Sequence, residues 1–527
     1  MPTTAVDAAR GLAGALEHSL EAMPQAARGD GERALRRLQD VVVPRLEDAQ
    51  APLLVVVGGS TGAGKSTLVN SLLDRDVSRS GTLRPTTRRP VLVCSLQARA
   101  WFMSDRVLPR LAKHEGGQGT SLDAVTIVVD DMMWPSIGIL DAPDIDSVEE
   151  GNRRLASELL DSADLWIFVT TAARYADAVA WRHLEEAARR GLRVAIVLNR
   201  VPAGVQEEIR ADLSSLAQRR GLGEVPIIVI AEQELTRGRL PFEAIAPAGA
   251  FLRGIGDDAH ERAAIVRSSL AGAVASALEE AFRALDESRL ALSAVTSARE
   301  GIDHLVASCA RDVASSSSDD VLRGEVSARI SEVLGSWDMT RTLARVLGSV
   351  RERIMGAVRG SAAPEEQVRR DLTGGLAQRL SDQYHRAWTE ALRLAEPVAA
   401  IGEFEELLDT QASLERARRT AQAWTSEVTQ IVRGQAESSR VTGGVTGVEV
   451  GVAGASAALS QTILESYFGE RTVRSLTVQA REALESLAAS SLAEVVAPIA
   501  AGLDRSQERE RIEALASALD KAREVLT

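Results

Sequence analysis

Ten residues of this chain, GGSTGAGKST from Gly58 to Thr67, have types and a spacing that suit one chemistry, the clasping of a polyphosphate. Gly59, Gly64, Lys65 and Ser66 satisfy the pattern GxxxxGK[ST]. Glycines let a loop wrap phosphate oxygens with backbone N–H groups, so Gly59, Ser60, Thr61, Gly62, Ala63, Gly64, Lys65, Ser66 and Thr67 together form the expected cradle. The apolar run LLVVV precedes it and a helical pattern through Leu68, Leu72 and Leu73 follows, which places the loop at a strand-to-helix junction with a helix N-terminus facing the anion. Lys65 is expected to bridge the β- and γ-phosphates and Ser66 to ligate Mg²⁺. The competing reading is a Gly-rich turn with a chance lysine.

Two downstream segments complete a metal site. In GTLRPTTRRPVLV a loop threonine precedes a strand, which suits a switch whose hydroxyl and carbonyl reach Mg²⁺ and the attacking water only when a γ-phosphate is present. Thr87 is the first choice and Thr86 the second; a polar connection with solvated Arg88 and Arg89 is the alternative. In LDAPD, Leu140 to Asp144, an acid ends the strand SIGIL, so Asp141 is expected to hold Mg²⁺ through its water shell. An Asp that merely caps the next turn is the alternative.

GGSTGAGKST, TRRP at Thr87 to Pro90 and DAPD at Asp141 to Asp144 together resemble the G domain of the dynamin superfamily, bacterial dynamin-like GTPases included. The likeness covers about Pro52 to Ala250. It implies an α/β P-loop G domain, a mainly parallel sheet with helices on both faces, joined to a long all-α bundle or stalk built from both chain ends. It also implies GTP and Mg²⁺ as cofactors, with Thr61, Lys65 and Thr87 in catalysis and Ser66, Thr87 and Asp141 at the metal.

Several positions depart from that pattern. The family's DxxG ends in a glycine whose N–H meets the γ-phosphate, whereas this chain has Asp144, a negative side chain that should repel phosphate unless it turns away or meets metal. Slow hydrolysis, or a second switch using Asp144 or Asp146, follows as an expectation. In place of [NT]KxD stand Asn199, Arg200, Val201 and Pro202. Asn199 can anchor the loop and face the base, and the Arg200 stem can stack on it, but Pro202 cannot accept the guanine N–H groups, which leaves ATP open beside GTP. Thr61 and Gly62 replace the glutamine and serine of eukaryotic dynamins. Arg174, after a strand in VTTAARYAD, is either a charge near the phosphates or a solvated arginine.

Short apolar runs alternate with helical stretches from Leu53 onward: LLVVVGG, RPVLVCSL, AVTIVVD, SIGILDAP, DLWIFVTT, RVAIVLNR and VPIIVIAE. This is the mark of a parallel sheet with crossover helices. Residues 5 to 48 read as two helices, with Leu12, Leu16 and Leu20 on one and Leu35, Leu38 and Val42 on the other, separated at Gly29, Asp30 and Gly31. Beyond Gly256 the pattern is helical, with stripes such as Leu270, Val274, Leu278, Phe282 and Leu285, and Val473, Leu476, Ala480, Leu484 and Leu487. Their charged flanks, Glu279, Glu280, Arg283, Asp286 and Glu287, read as solvated surface. The expected division is a helical segment at 1–50 that packs with the C-terminal helices, a GTPase domain at 51–255 and a helical arm at 256–527. Within the arm, Gly443, Gly447, Gly451 and Ala455 line one smooth face of a Gly-rich segment at 441–455. The segment is a membrane-touching hairpin tip, a tight oligomer contact or, as the interrupting Glu449 favours, a close-packed internal helix or flexible Gly-rich loop.

The 527 residues exceed one core, and a formal net charge of −13 argues against a nucleic-acid binder, since phosphate binding needs a basic surface. Cys94 and Cys309 are isolated, which indicates reduced core residues rather than a disulfide or zinc site. The N-terminus has no apolar block of signal length, and no charge-free apolar stretch of about 20 residues stands out, so a cytoplasmic protein is expected, with a peripheral contact at the inner face of the cell membrane implied by the resemblance. The expected function is a Mg²⁺-dependent GTPase whose nucleotide state moves the arm or drives self-association through the G domain or the arm. The alternatives are a nucleotide-binding scaffold with negligible hydrolysis and an ATP-dependent regulator.

Overall fold

The computed structural model describes residues 2–78, 89–116, 124–145, 150–316, 322, 325, 326, 329, 362–398, 409–442 and 470–527. Thr86, Thr87, Asp146 and the glycines of 443–455 lie outside them. Two compact units are present, Met1–Arg289 with Gln507–Thr527, and Leu290–Ser506. The first unit thus takes in the last helix of the chain as well as the sheet.

The first unit opens with α1 (Pro2–Ser19), α2 (Gln25–Arg37) and α3 (Val43–Glu47). The break between the first two lies at Met23 and Pro24, not at Gly29 to Gly31. Pro24 takes an extended conformation at the start of α2, where its missing N–H costs nothing. Gly29 to Gly31 continue the helix, and Gly31 is buried beneath Met23, whose sulfur would sit 2.7 Å from an added Cβ.

The sheet follows, with β1 (Leu53–Gly59), β2 (Val91–Cys94), β3 (Ala112–Glu115), β4 (Ala124–Val129), β5 (Ile137–Asp141), β6 (Leu165–Thr171), β7 (Arg193–Val201) and β8 (Ile227–Ala231). Their order is β3-β4-β2-β5-β1-β6-β7-β8. All pairings are parallel except β2 with β5, so the mainly parallel expectation holds. Every residue of β1 is buried, and its Val55 and Val57 belong to the core on one side while Leu54 and Val56 belong to that on the other. A strand covered on both faces needs this unbroken apolar run. Helices α4 (Lys65–Leu72), α5 (Arg99–Met103), α6 (Glu150–Asp161), α7 (Ala178–Arg189), α8 (Gln206–Arg219) and α9 (Phe242–Asp257) connect or follow the strands.

Helix α10 (Ala259–Ser316) contributes to both units. In the first, Glu280 is buried against Arg37 of α2, with Nε and Nη2 donating at 3.3 and 3.2 Å, which corrects the expectation of a solvated carboxylate. The second unit packs the later part of α10 with α11 (Ala362–Ala395), α12 (Thr410–Thr442) and α13 (Glu470–Gly502) around Leu380, Trp388, Trp424, Leu484 and Leu492. Two buried polar side chains there are paired across helices: Tyr384 Oη lies 2.6 Å from Ser491 Oγ, and Trp424 Nε1 donates to the Ala480 carbonyl at 2.8 Å. Arg471–Gly502 is long and apolar enough to cross a membrane by length and composition, which the sequence reading did not anticipate. Its apolar stripe, Leu476, Leu484, Leu492 and Val496, is packed in this four-helix core. The final helix, α14 (Ser506–Leu526), returns to the first unit, where Ser19 Oγ donates to the Arg511 carbonyl at 3.1 Å and the Arg523 guanidinium stacks on Phe282. Both cysteines are free and buried.

Candidate functional site

The loop from Gly59 to Gly64 joins the C-terminal end of β1 to the N-terminus of α4, the junction its motif requires. Two glycines are obligatory there. An added Cβ at Gly59 would stand 2.1 Å from the Val169 carbonyl of β6, and one at Gly64, where φ is +97°, would stand 2.5 Å from Asn199 Nδ2. Lys65 begins α4 and is buried, with Nζ donating to the Gly59 and Ser60 carbonyls at 3.2 Å each and forming an ion pair with Asp144 Oδ1. The amine is therefore surrounded by oxygens rather than by apolar groups.

Beside it, β5 pairs with β1 and brings its last residue level with Val57. Asp141 is fully buried there; its Oδ2 accepts from Ser66 Oγ at 2.6 Å and Ser78 Oγ at 2.5 Å, whereas its Oδ1 has no hydrogen-bond partner. Burial pushes the Asp141 carboxyl above its usual range, against the opposing pull of the two hydroxyls and the Lys65 charge. A buried carboxylate oxygen left without a partner is costly. Beside a serine hydroxyl it forms a hard-oxygen donor set of the kind Mg²⁺ accepts while retaining waters and phosphate ligands. Among the described residues no three His, Cys, Asp or Glu side chains converge, so no all-protein metal cage is formed by them.

The chain just before the 79–88 segment is pinned by Asn70 of α4. Its Oδ1 accepts from the Val77 and Ser78 N–H groups and its Nδ2 donates to the Ser78 carbonyl. Ser78 is the residue that sequence reasoning missed. In the run VSRSGTLR nothing distinguishes it from the serine two positions on, and only folding reveals which hydroxyl meets Asp141.

On the opposite side of the loop, Asn199 at the end of β7 is buried and donates through Nδ2 to the Ala63 carbonyl at 2.9 Å, while its Oδ1 accepts from Arg200 N–H. It anchors the loop, and it leaves Arg200 exposed in the left-handed region with φ of +56°. Arg174, in the turn after β6, reaches back so that Nη1 lies 3.4 Å from the Thr61 carbonyl. That turn is tied by Arg174 and Tyr175 N–H groups to the Thr171 carbonyl and by Asp177, which caps α7. Of the residues singled out from sequence, the fold thus gathers Gly59 to Thr67, Asp141, Asp144, Asn199 and Arg174 at the strand ends around one loop.

No family model matches the chain. A curated relative, a probable transmembrane GTPase of Arabidopsis thaliana, FZO-like and chloroplastic, is 29% identical over 123 residues, which amount to 23% of this chain and 12% of that protein. Among solved structures, an oligomerised bacterial dynamin pair described as sensing and tethering membranes aligns over 98% of this chain and 95% of its own, at 11% identity and a TM-score of 0.46. LeoA, a bacterial dynamin GTPase from ETEC, aligns over 99% and 94% at 11% identity and a TM-score of 0.25.

Proposed function

We propose that this chain is a Mg²⁺-dependent GTPase of dynamin-like type, in which nucleotide held at the 59–67 loop alters the helical arm or drives self-association. The observation that carries the reading is the Ser66–Asp141 contact at 2.6 Å beside the Lys65 amine, with a second Asp141 oxygen buried and unpartnered. In this reading Gly59 to Thr67 wrap the phosphates, Lys65 neutralises the β- and γ-oxygens, and Ser66, Asp141 and Thr87 hold the metal. Bound Mg²⁺ would offset charge on the triphosphate. Thr61 would help to orient the attacking water, and Asn199 and Arg200 would border the base.

The guanine preference is supported by the GTPase name of the curated relative, and membrane association by that same name. The domain roles follow: residues 51–255 carry the nucleotide chemistry, and the helices of 1–50 and 256–527 transmit it. A second reading, a nucleotide-binding scaffold with negligible hydrolysis, is favoured by the Lys65–Asp144 ion pair. Both readings are tested by measuring binding and phosphate release with GTP and with ATP, with and without Mg²⁺ and lipid vesicles. Lys65→Ala is expected to abolish tight binding; undiminished binding by that variant removes the phosphate assignment.

A further inference from the structure

Asp144 stands where a nucleotide-binding loop gains least from a carboxylate, and its surroundings give it a specific task. Lys65 has three N–H donors. Two are directed to the Gly59 and Ser60 carbonyls of its own loop, and the third contact is the Asp144 carboxylate. Backbone tethers on both sides hold Asp144 there: Ala142 N–H donates to the Val57 carbonyl at 3.0 Å, and Ile145 N–H to the Gly59 carbonyl at 3.4 Å, with the Ile145 side chain buried. The Lys65 side chain is 5% exposed and that of Asp144 17%, so the pair is only weakly screened by solvent. A carboxylate therefore already supplies the negative oxygen that a polyphosphate would offer Lys65.

We infer that Asp144 is a specificity-determining residue that sets the balance between nucleoside diphosphate and triphosphate, acting as an internal counter-anion in competition with the terminal phosphate. This rests on the nucleotide-binding reading above. A triphosphate must displace Asp144 from Lys65 and then keep the displaced charge close to its own terminal phosphate, because the two tethers limit how far the side chain withdraws. A diphosphate, one phosphoryl shorter, meets less of this repulsion. The consequence is a protein biased toward its diphosphate-bound state, with triphosphate loading left to conditions that draw Asp144 off Lys65.

The test compares affinities of the full chain for fluorescent GDP and for a fluorescent non-hydrolysable GTP analogue, both with Mg²⁺, in the parent protein and in Asp144→Asn, Asp144→Gly and Asp144→Glu. Thermal melting checks that each variant is folded. Neutral Asn and Gly are expected to shift the triphosphate-to-diphosphate preference toward triphosphate by about 10- to 100-fold, the scale of one like-charge contact in a partly dry site, while Glu retains the parent preference. An unchanged ratio in Asn and Gly overturns the inference. So does a selective loss of triphosphate affinity, which would mean that Asp144 helps to hold the metal. If the parent and all variants bind neither nucleotide, the nucleotide reading itself falls and takes this inference with it; if all bind with one common ratio, only the role of Asp144 falls.

Discussion

Replacing Arg45 by alanine tests whether β1, the strand that leads into the 59–64 loop, is mounted by a buried ion pair at its starting end. Arg45 of α3 reaches the base of β1, where Nη1 and Nη2 donate to the Ala51 and Pro52 carbonyls at 3.0 Å each and Nη2 also pairs with Asp164. Asp164 Oδ2 in turn accepts from Leu54 N–H at 2.8 Å, and its own N–H donates to the Leu54 carbonyl. Arg45 also stacks over Trp101, 5.7 Å from the ring centroid. The two side chains are 7% and 3% exposed, so truncating the arginine leaves a buried carboxylate with one N–H donor and two carbonyls without their partner. Breaking a pair in this way costs about 3–5 kcal/mol, most of it the penalty of the orphaned charge rather than the net worth of the pair. That is a large share of the roughly 5–15 kcal/mol by which a domain is stable. The assay is urea denaturation of the full chain followed by tryptophan fluorescence, within a cycle of Arg45→Ala, Asp164→Ala and the double variant. The double variant is expected to be less destabilised than the two singles summed, by about 1–3 kcal/mol. A loss below about 1 kcal/mol for Arg45→Ala, or simple additivity, would show that water replaces the guanidinium at little cost and would refute the reasoning.

Further outcomes are expected. Asp40 has its carboxyl pushed up to about 6, chiefly by burial and partly offset by Arg110 and Arg36. Because the folded-state value is raised, the folded protein keeps a proton that the unfolded chain releases, and stability falls as pH rises from about 4 to about 6. Asp40→Asn should therefore stabilise the protein by about 1–3 kcal/mol at pH 7 and by almost nothing at pH 4, as read from melting midpoints across pH; an equal effect at both pH values would contradict this. Gly59→Ala should eliminate nucleotide binding, since the new methyl would need the β6 backbone at Val169 to move by about 1 Å; calorimetric titration that still shows binding would disprove it. Arg174→Ala should slow single-turnover GTP hydrolysis about 100-fold, the loss typical of one preorganised donor, with GDP affinity little changed; parent-like turnover would make it a surface arginine.

Strand and motif signals were legible because they depend on local chemistry. The unbroken apolar run of β1, the glycine spacing and the acid ending β5 each announce themselves over a few residues, and the structure assembles them as those patterns imply. Strand β3 escaped notice: AKHE sits at the sheet edge with none of its residues buried, so no apolar periodicity marks it. The helix break expected at Gly29 to Gly31 was misplaced because tertiary packing under Met23 outweighs the weak helix propensity of glycine, while Pro24 ends the preceding turn outright.

The sequence alone determined the class of fold, the location of the glycine-rich strand-to-helix loop and the lysine, hydroxyl and acid gathered around it, since each of these is encoded in adjacent residues. Only the tertiary structure decided which distant charges meet: Lys65 with Asp144, Arg45 with Asp164, and Glu280, read from sequence as solvated, with Arg37. Partners separated by tens to hundreds of residues leave no periodic trace, and an acid destined for burial has the same letter as one that faces water.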